Sequence, residues 1–272
     1  MNTIIGCLRK MAVREATPVH YTLTLNQQAI LLNDKIGAPL HLHFTGKIYC
    51  VECGRKITKS FQQGYCYPCF RQLLECNLCM IHPEKCHASA DTCPSDQWAH
   101  ASCLQPHIVY LANSSGVKVG VTRASNIPDR WIDQGAIQAL PIFRTKNRRQ
   151  AGFVEVVLKA YVADKTNWHT MLKGNVTEID LGVERDELLL LANAPLTRLT
   201  TQYTGDIEGI TDGEVTRLHY PVLSYPDQVN AINLDKHPCV EGRLLGIKGQ
   251  YCLLDVGVIN IRKFSGYEVE LG

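Results

Sequence analysis

The chain has 272 residues, 45% of them hydrophobic and 20% charged, values that exclude a disordered or fibrous architecture and suffice for two or three compact units. Its apolar runs, such as residues 188–192, fall far short of the ~18 to 20 residues of a membrane span, and MNTIIGCLRKM lacks the order of a secretory signal. The net charge of +2 hides an asymmetry: residues 1–177 carry 20 basic and 11 acidic side chains, residues 178–272 carry 8 and 15, which excludes the acidic end as the part that meets phosphate.

Residues 20–49 alternate apolar and polar side chains (HYTLTL, AILLN, LHLHFTG), with turn residues at Asn33, Asp34 and Gly37, and read as strands. This places a β segment over residues 1–46. Residues 50–103 hold nine of the twelve cysteines and few aliphatic side chains, so a separate module is expected over 47–105. The lack of a membrane span or leader points to the cytoplasm, with no membrane partner, where clustered cysteines mean metal more often than disulfide.

Residues 107–113 and 117–122 are rich in β-branched side chains and flank Ser114-Ser115-Gly116, which predicts a hairpin. Asn126 and Pro128 predict the start of a short helix through Trp131, stopped near Gly135, and residues 137–143 a third strand. After Gly152, Phe153, Val154, Val157, Leu158, Tyr161 and Val162 recur at helical spacing and predict a helix with one buried face. The unit 106–176 is thus expected to run β-β-α-β-α. Thr177 with Asp180 predicts a capping box, opening a helix that reaches Leu191 before Asn193 and Pro195 end it. From Leu199 on, glycine-punctuated runs predict a small all-β unit. Residues 177–272 are therefore expected as a helix plus β unit packed with 1–46, since neither piece alone buries much surface. The fold class expected is α+β.

Cys50-x2-Cys53 and Cys66-x2-Cys69, twelve residues apart, form paired knuckles that aim two sulfurs each at one ion, with Gly54 and Gly64 supplying the turns. Four thiolates favour zinc, with iron as competitor, and leave no open position, so the metal is structural. A second set, Cys76, Cys79, Cys86, His87, Cys93, His100 and Cys103, offers more ligands than one ion needs. Cys79, Cys86, Cys93 and Cys103 are the preferred four, with Cys76, His87 and His100 in reserve, giving two structural zinc ions in all. Disulfides or plain burial are the competing readings. Cys7, Cys239 and Cys252 are expected as buried small hydrophobes.

The runs CVECGRKITKSFQQGYCYPCF, CNLCMIHPEKCH and HIVYLANSSGVKVGVTR resemble a family of bacterial and archaeal zinc-ribbon proteins described as a domain of unknown function. The middle unit, by its element order, is also similar to the GIY-YIG endonuclease superfamily. That resemblance implies Tyr110 as the first tyrosine, Lys118-Val119-Gly120 as the second motif with lysine replacing its tyrosine, Arg130 (alternatively Arg123) as the arginine, and Glu155 as the metal-binding carboxylate. It implies phosphodiester hydrolysis: Glu155 holding Mg²⁺ or Mn²⁺, Tyr110 helping to activate water, Arg130 stabilising transition-state charge and Lys118 orienting a phosphate oxygen. Asn167 is a further candidate. Read from the residues alone, Tyr110 is also a plain strand aromatic, Glu155 an ion-pair partner of Lys159 four residues on, and Arg130 a solvated helix charge.

Seven basic residues between positions 118 and 149 (Lys118, Arg123, Arg130, Arg144, Lys146, Arg148, Arg149) face only Asp129 and Asp133, a pattern suited to DNA or RNA phosphates. Lys56, Lys59 and Arg71 beside Tyr65, Tyr67 and Phe70 add basic and stacking groups on the ribbon. The functional expectation is a zinc-containing nucleic-acid-binding protein with metal-dependent endonuclease chemistry. The alternative is a non-catalytic protein-interaction adaptor that docks through its zinc ribbons.

Overall fold

The alternation in HYTLTL becomes the strand His20–Leu25, whose Tyr21, Leu23 and Leu25 are buried while the residues between them are not. It pairs with Ala12–Arg14 and Gln28–Leu31 in a three-stranded sheet. The computed structural model describes residues 3–87, 93–162 and 165–272 as a mixed α and β fold with three sheets.

The two ends of the chain share the largest sheet. Ile4–Cys7 pairs with Tyr267–Leu271, that strand with Pro39–Tyr49, and Pro39–Tyr49 in turn with Cys239–Lys248. Tyr251–Leu254 and Gly257–Asn260 extend the path, and Lys56–Ile57 joins it from the cysteine module. Leu40, Leu42, Val240, Leu244, Val269 and Leu271 enter one core, so each end covers apolar surface that the other would leave in water.

The middle of the chain runs His107–Asn113, Val117–Arg123, the helix Asp129–Asp133, Gln138–Thr145 and the helix Arg148–Leu158. His107–Asn113 lies between its two partner strands and is buried along its length, so both faces need cover. Val109 and Leu111 pack with Ala151, Val154 and Leu158 of the long helix. Ile108, Tyr110 and Ala112 share the other core with Trp131, Ile132 and the terminal sheet. Val117–Arg123 is left at the sheet edge.

Several boundaries differ from the sequence reading for local reasons. The Arg148–Leu158 helix starts ahead of Gly152 because Asn147 and Gln150 form a reciprocal cap, with Asn147 Oδ1 accepting from the Gln150 N–H at 3.1 Å and Gln150 Oε1 from the Asn147 N–H at 3.2 Å. It ends at Leu158, so Tyr161 falls outside the expected buried face and is 46% exposed. Gly152 sits inside this helix despite its poor propensity. A Cβ there would lie 2.2 Å from the backbone nitrogen of Glu84, because the segment Pro83–Lys85 rests directly on the helix.

Asp180 alone caps Leu181–Leu191, accepting from the N–H groups of Gly182 at 2.9 Å and Val183 at 3.1 Å. Thr177 contributes its carbonyl to Asn113 Nδ2 instead, at 2.9 Å. Pro195 does not end the helical region: after a break at Ala192 it lies in the first turn of a second helix, Asn193–Gln202, where its missing N–H has no intrahelical partner to lose. Leu199 is therefore helical, not the start of a β unit. Leu181, Leu188 and Leu196 pack with Val109 and Ile142, and Ile207–Gly209 and Thr216–Arg217 pair with Gln138–Thr145. Residues 181–217 thus complete the middle sheet.

Candidate metal centre and adjoining cleft

The first knuckle pair closes as its spacing requires. The sulfurs of Cys50, Cys53, Cys66 and Cys69 all lie within 4.8 Å of one another, and Cys53 Sγ is 3.8 Å from Cys66 Sγ. A tetrahedron with metal–sulfur arms of ~2.3 Å has edges of about that length. The N–H of Cys66 donates to Cys50 Sγ at 3.2 Å and that of Cys69 to Cys66 Sγ at 3.5 Å. Cys66 in this way also caps the short helix Tyr67–Gln72. Burial pushes the Cys50 thiol up, but the N–H groups of Cys53, Cys66 and Glu52 outweigh it and bring it down to about 6. Cys69 is pushed up to about 12, first by its hydrogen bond with Cys66 and then by burial. Four sulfurs this close cannot all ionise without a cation among them, so the donor set suits one structural metal ion and is compatible with zinc.

Among the described residues this is the one group whose ligand atoms all come within mutual reach. Cys86 and Cys103 are buried together with Ala99, and Cys93 and Leu104 pack against them. Burial raises the Cys79 thiol, with the charges of Cys86 and Cys93 adding to the shift; Cys103 is raised too, chiefly by its hydrogen bond with Cys86. Of the reserve ligands, His87 and His100 are exposed, and Cys76 feels Glu75 and Cys50 rather than the second set. Of the three cysteines expected as buried hydrophobes, Cys252 is buried, Cys7 half-buried and Cys239 exposed. Cys239 sits at the start of a strand whose outward positions face water.

A cleft of about 580 Å³ opens where the cysteine module, the edge strand and the C-terminal segment meet. Gln62, Glu75 and Trp98 line it from the module, Lys118 to Arg123 from the strand, Arg130 and Gln134 from around the short helix, Arg148 and Glu155 from the long helix, and Arg262 from the C-terminal segment. Among the described residues, five cations (Lys118, Arg123, Arg130, Arg148, Arg262) meet two carboxylates, Glu75 and Glu155. Burial lowers the pKa of Arg262, and Arg130 lowers it further while Asp133 opposes both. Two guanidinium groups bordering one cleft favour an anion between them. Asp133 anchors the Arg130 helix from below, accepting from Lys10 Nζ at 2.5 Å and Gln250 Nε2 at 2.9 Å.

Three of the four candidate catalytic residues therefore line one cleft, and the fourth lies under its floor. Lys118 and Glu155 are 5% and 8% exposed. Glu155 Oε2 also sits 3.4 Å from Lys159 Nζ, so the ion pair and the cleft position coexist. Tyr110 is fully buried; its hydroxyl donates to Gln134 Oε1 at 3.2 Å. Burial raises its pKa, and Arg130 and Gln134 pull the other way. Gly120 explains how the phenol fits, since a Cβ there would lie 2.7 Å from the Tyr110 oxygen.

The basic run separates into different places. Arg123 donates to the Ala101 carbonyl at 3.4 Å, and Arg148 to the carbonyls of Met80 at 2.8 Å and Cys79 at 3.4 Å. Arg148 thereby clamps the cysteine module to the long helix while one face of it borders the cleft. Arg149 lies over the Phe153 ring at 5.4 Å, facing a separate cavity. Arg144 and Lys146 border a third cavity, with Lys146 Nζ 3.3 Å from Asp206. Asn167 caps the helix Trp168–Leu172. Arg262, absent from the sequence candidates, belongs to the acidic end that the charge balance excluded: the average charge of a segment does not tell where one cation is placed, and only its position in the cleft marks it.

His107 is the other titratable group sequence reasoning passed over. It is fully buried, its Nδ1 lies 2.8 Å from the Gln105 carbonyl, and its Nε2 has no hydrogen-bond partner among the described residues. Burial lowers its pKa from 6.5 to about 4, with the charges of Arg148 and Arg123 contributing. Between those values the unfolded state binds the extra proton, so this contribution to stability is complete above pH ~6.5 and is lost as pH falls towards 4, by about 3 kcal/mol in all. Urea unfolding of wild type and His107→Gln at pH 7.5 and 4.5 should show the smaller loss in the variant. Acid release of metal is common to both proteins, so equal losses would remove His107 as the cause.

Fold and site together define a mixed α and β protein with a four-cysteine centre able to hold one metal ion. The family model described as "Protein of unknown function (DUF2797)" matches residues 37–269, and the chain belongs to that family. No curated protein and no solved structure matches it. Among the described residues no helix is long and apolar enough to cross a membrane.

Proposed function

We propose that the protein binds DNA or RNA through the basic cleft and hydrolyses a phosphodiester there, at a divergent GIY-YIG-like site. The observation that carries this reading is the meeting of Lys118, Arg130 and Glu155 on one cleft, over the buried hydroxyl of Tyr110. Four elements of the middle unit supply these groups, and the five cations border the space they share. A phosphate diester entering it meets Arg130 and Arg262 as guanidinium donors and Lys118 as a point charge. Tyr110, neutral and buried, positions Gln134 and Arg130 from below rather than touching substrate itself.

Glu155 is the carboxylate placed to hold Mg²⁺ or Mn²⁺, and the donor set fits, since Mg²⁺ commonly uses one or two carboxylates together with phosphate and water oxygens. Such an ion, when bound, polarises the phosphate and makes its water a stronger nucleophile. Lys159, with Nζ 3.4 Å from Oε2, holds the Glu155 carboxylate in place. In the same reading Cys79, Cys86, Cys93 and Cys103 hold a second structural zinc, supported by the burial of Cys86 with Cys103 and the closeness of Cys79 and Cys93 to them. Arg148, bonded to the Cys79 carbonyl, then couples that site to the cleft.

Purified protein is to be incubated with single- and double-stranded DNA and RNA plus Mg²⁺ or Mn²⁺, beside Glu155→Gln and Arg130→Ala. Each variant should lose on the order of 100-fold or more of the cleavage rate, and binding should weaken steeply as salt rises. Cleavage equal in wild type and Glu155→Gln would remove Glu155 as the metal carboxylate. Salt-insensitive behaviour towards every polymer would remove nucleic acid as the ligand and favour protein docking.

A further inference from the structure

Beside the cleft the cysteine module carries a second surface that the proposed reaction does not use. Phe61, Tyr67 and Phe70 form a ring cluster: Phe61 and Tyr67 lie 5.4 Å apart between centroids, Phe61 and Phe70 5.9 Å apart with planes 20° from parallel. Tyr67 is 54% exposed, a large fraction for an aromatic side chain on a small, metal-supported segment. Phe61 and Tyr67 line an open groove of about 590 Å³ together with Arg55, Lys56 and Lys59, and among the described residues no carboxylate borders it. Lys59 Nζ stands 5.3 Å from the Phe61 ring centre.

We infer that this groove is a stacking platform for the unpaired bases of a single-stranded nucleic acid, so that the cleft's substrate is a strand with a single-stranded portion. An exposed aromatic face flanked by cations matches a base and its phosphate together, whereas duplex bases are stacked on one another and present no free face. Continuity with the cleft gives the direction. Phe61 lines the groove and its neighbour Gln62 lines the cleft. Phe61 and Tyr65 bridge across a tight turn, in which Gln62 and Gln63 take φ of +40° and +66°. Phe61 and Gln62 are consecutive, with Cα atoms ~3.8 Å apart, so a strand leaving the cleft past Gln62 comes directly onto Phe61 and the Tyr67 ring beside it. The inference rests on the nucleic-acid reading of the cleft for the identity of the polymer, but not on cleavage.

The test is fluorescence anisotropy of the full chain, with its metal retained, on labelled oligo(dT) and on a blunt duplex of mixed sequence. Tyr67→Ala should bind the single strand roughly tenfold more weakly, as loss of one base stack implies, with duplex affinity unchanged. Tyr67→Phe should keep wild-type affinity for both, because it keeps the ring. Lys59→Ala, exposed and remote from the core, should weaken the single strand more than the duplex and serves if Tyr67→Ala loses metal. Unchanged single-strand affinity in Tyr67→Ala and Lys59→Ala, or equal loss on both polymers, overturns the platform. A platform that passes while Glu155→Gln leaves cleavage unaltered would sink the catalytic reading alone; cleavage lost with Glu155 while Tyr67 is silent would sink the platform alone.

Discussion

Removing the metal from the Cys50, Cys53, Cys66 and Cys69 site is expected to unfold the module and collapse one wall of the cleft. A structural zinc of this kind contributes on the order of 10 kcal/mol to folding of its segment, and the segment has little else. Among the described residues of 50–103 the buried hydrophobic positions are mostly cysteines: Cys50, Cys66, Cys86 and Cys103, with Ala99. Cys66→Ser should cost one zinc per chain by elemental analysis, and a strong chelator should lower the melting temperature of wild type far more than that of the variant. Cleft ligands should weaken in parallel, because Gln62 and Glu75 line the cleft from this segment. Wild type that contains no zinc or iron, and whose thiols prove bonded to one another, would end the metal reading.

Gly152→Ala is expected to destabilise the protein, against the sign that helix propensity gives. Within a helix, alanine is favoured over glycine by about 1 kcal/mol. Here the added methyl would meet backbone atoms of Pro83 and Glu84 at 2.2 to 2.5 Å. Backbone cannot rotate aside as a flexible side chain can, and overpacking of this kind costs on the order of 3 kcal/mol. A melting temperature lower by several degrees is the expected result. A rise would mean that Pro83–Lys85 does not rest on the Arg148–Leu158 helix. Because Arg148 binds the carbonyls of Cys79 and Met80 on the same face, the contact also sets how the cysteine module meets the cleft.

Elements that depend on neighbours in sequence were the ones legible in advance. The knuckle cysteines, the hairpin around Ser114-Ser115-Gly116 and the β-β-α-β-α order follow from local spacing, turn chemistry and periodicity, none of which needs a distant partner. The same applies to Asp180, whose side chain caps the helix it precedes. The misread boundaries turn on local choices that the pattern leaves open: Asn147 outcompetes Gly152 as the start of a helix, and Pro195 opens a helix instead of ending one.

By itself the sequence determined that four sulfurs would meet, because two residues between cysteines leave the backbone little choice of direction, and that the middle unit would alternate strand and helix. Only the tertiary structure decided that residues 181–217 finish the middle sheet, that Tyr110 lies beneath the cleft floor, that Arg262 and Arg130 border one cleft, and that the basic run 144–149 is divided among three cavities. Those outcomes depend on which apolar faces cover one another, and burial is shared between segments more than a hundred residues apart, a relation that no local window of sequence carries.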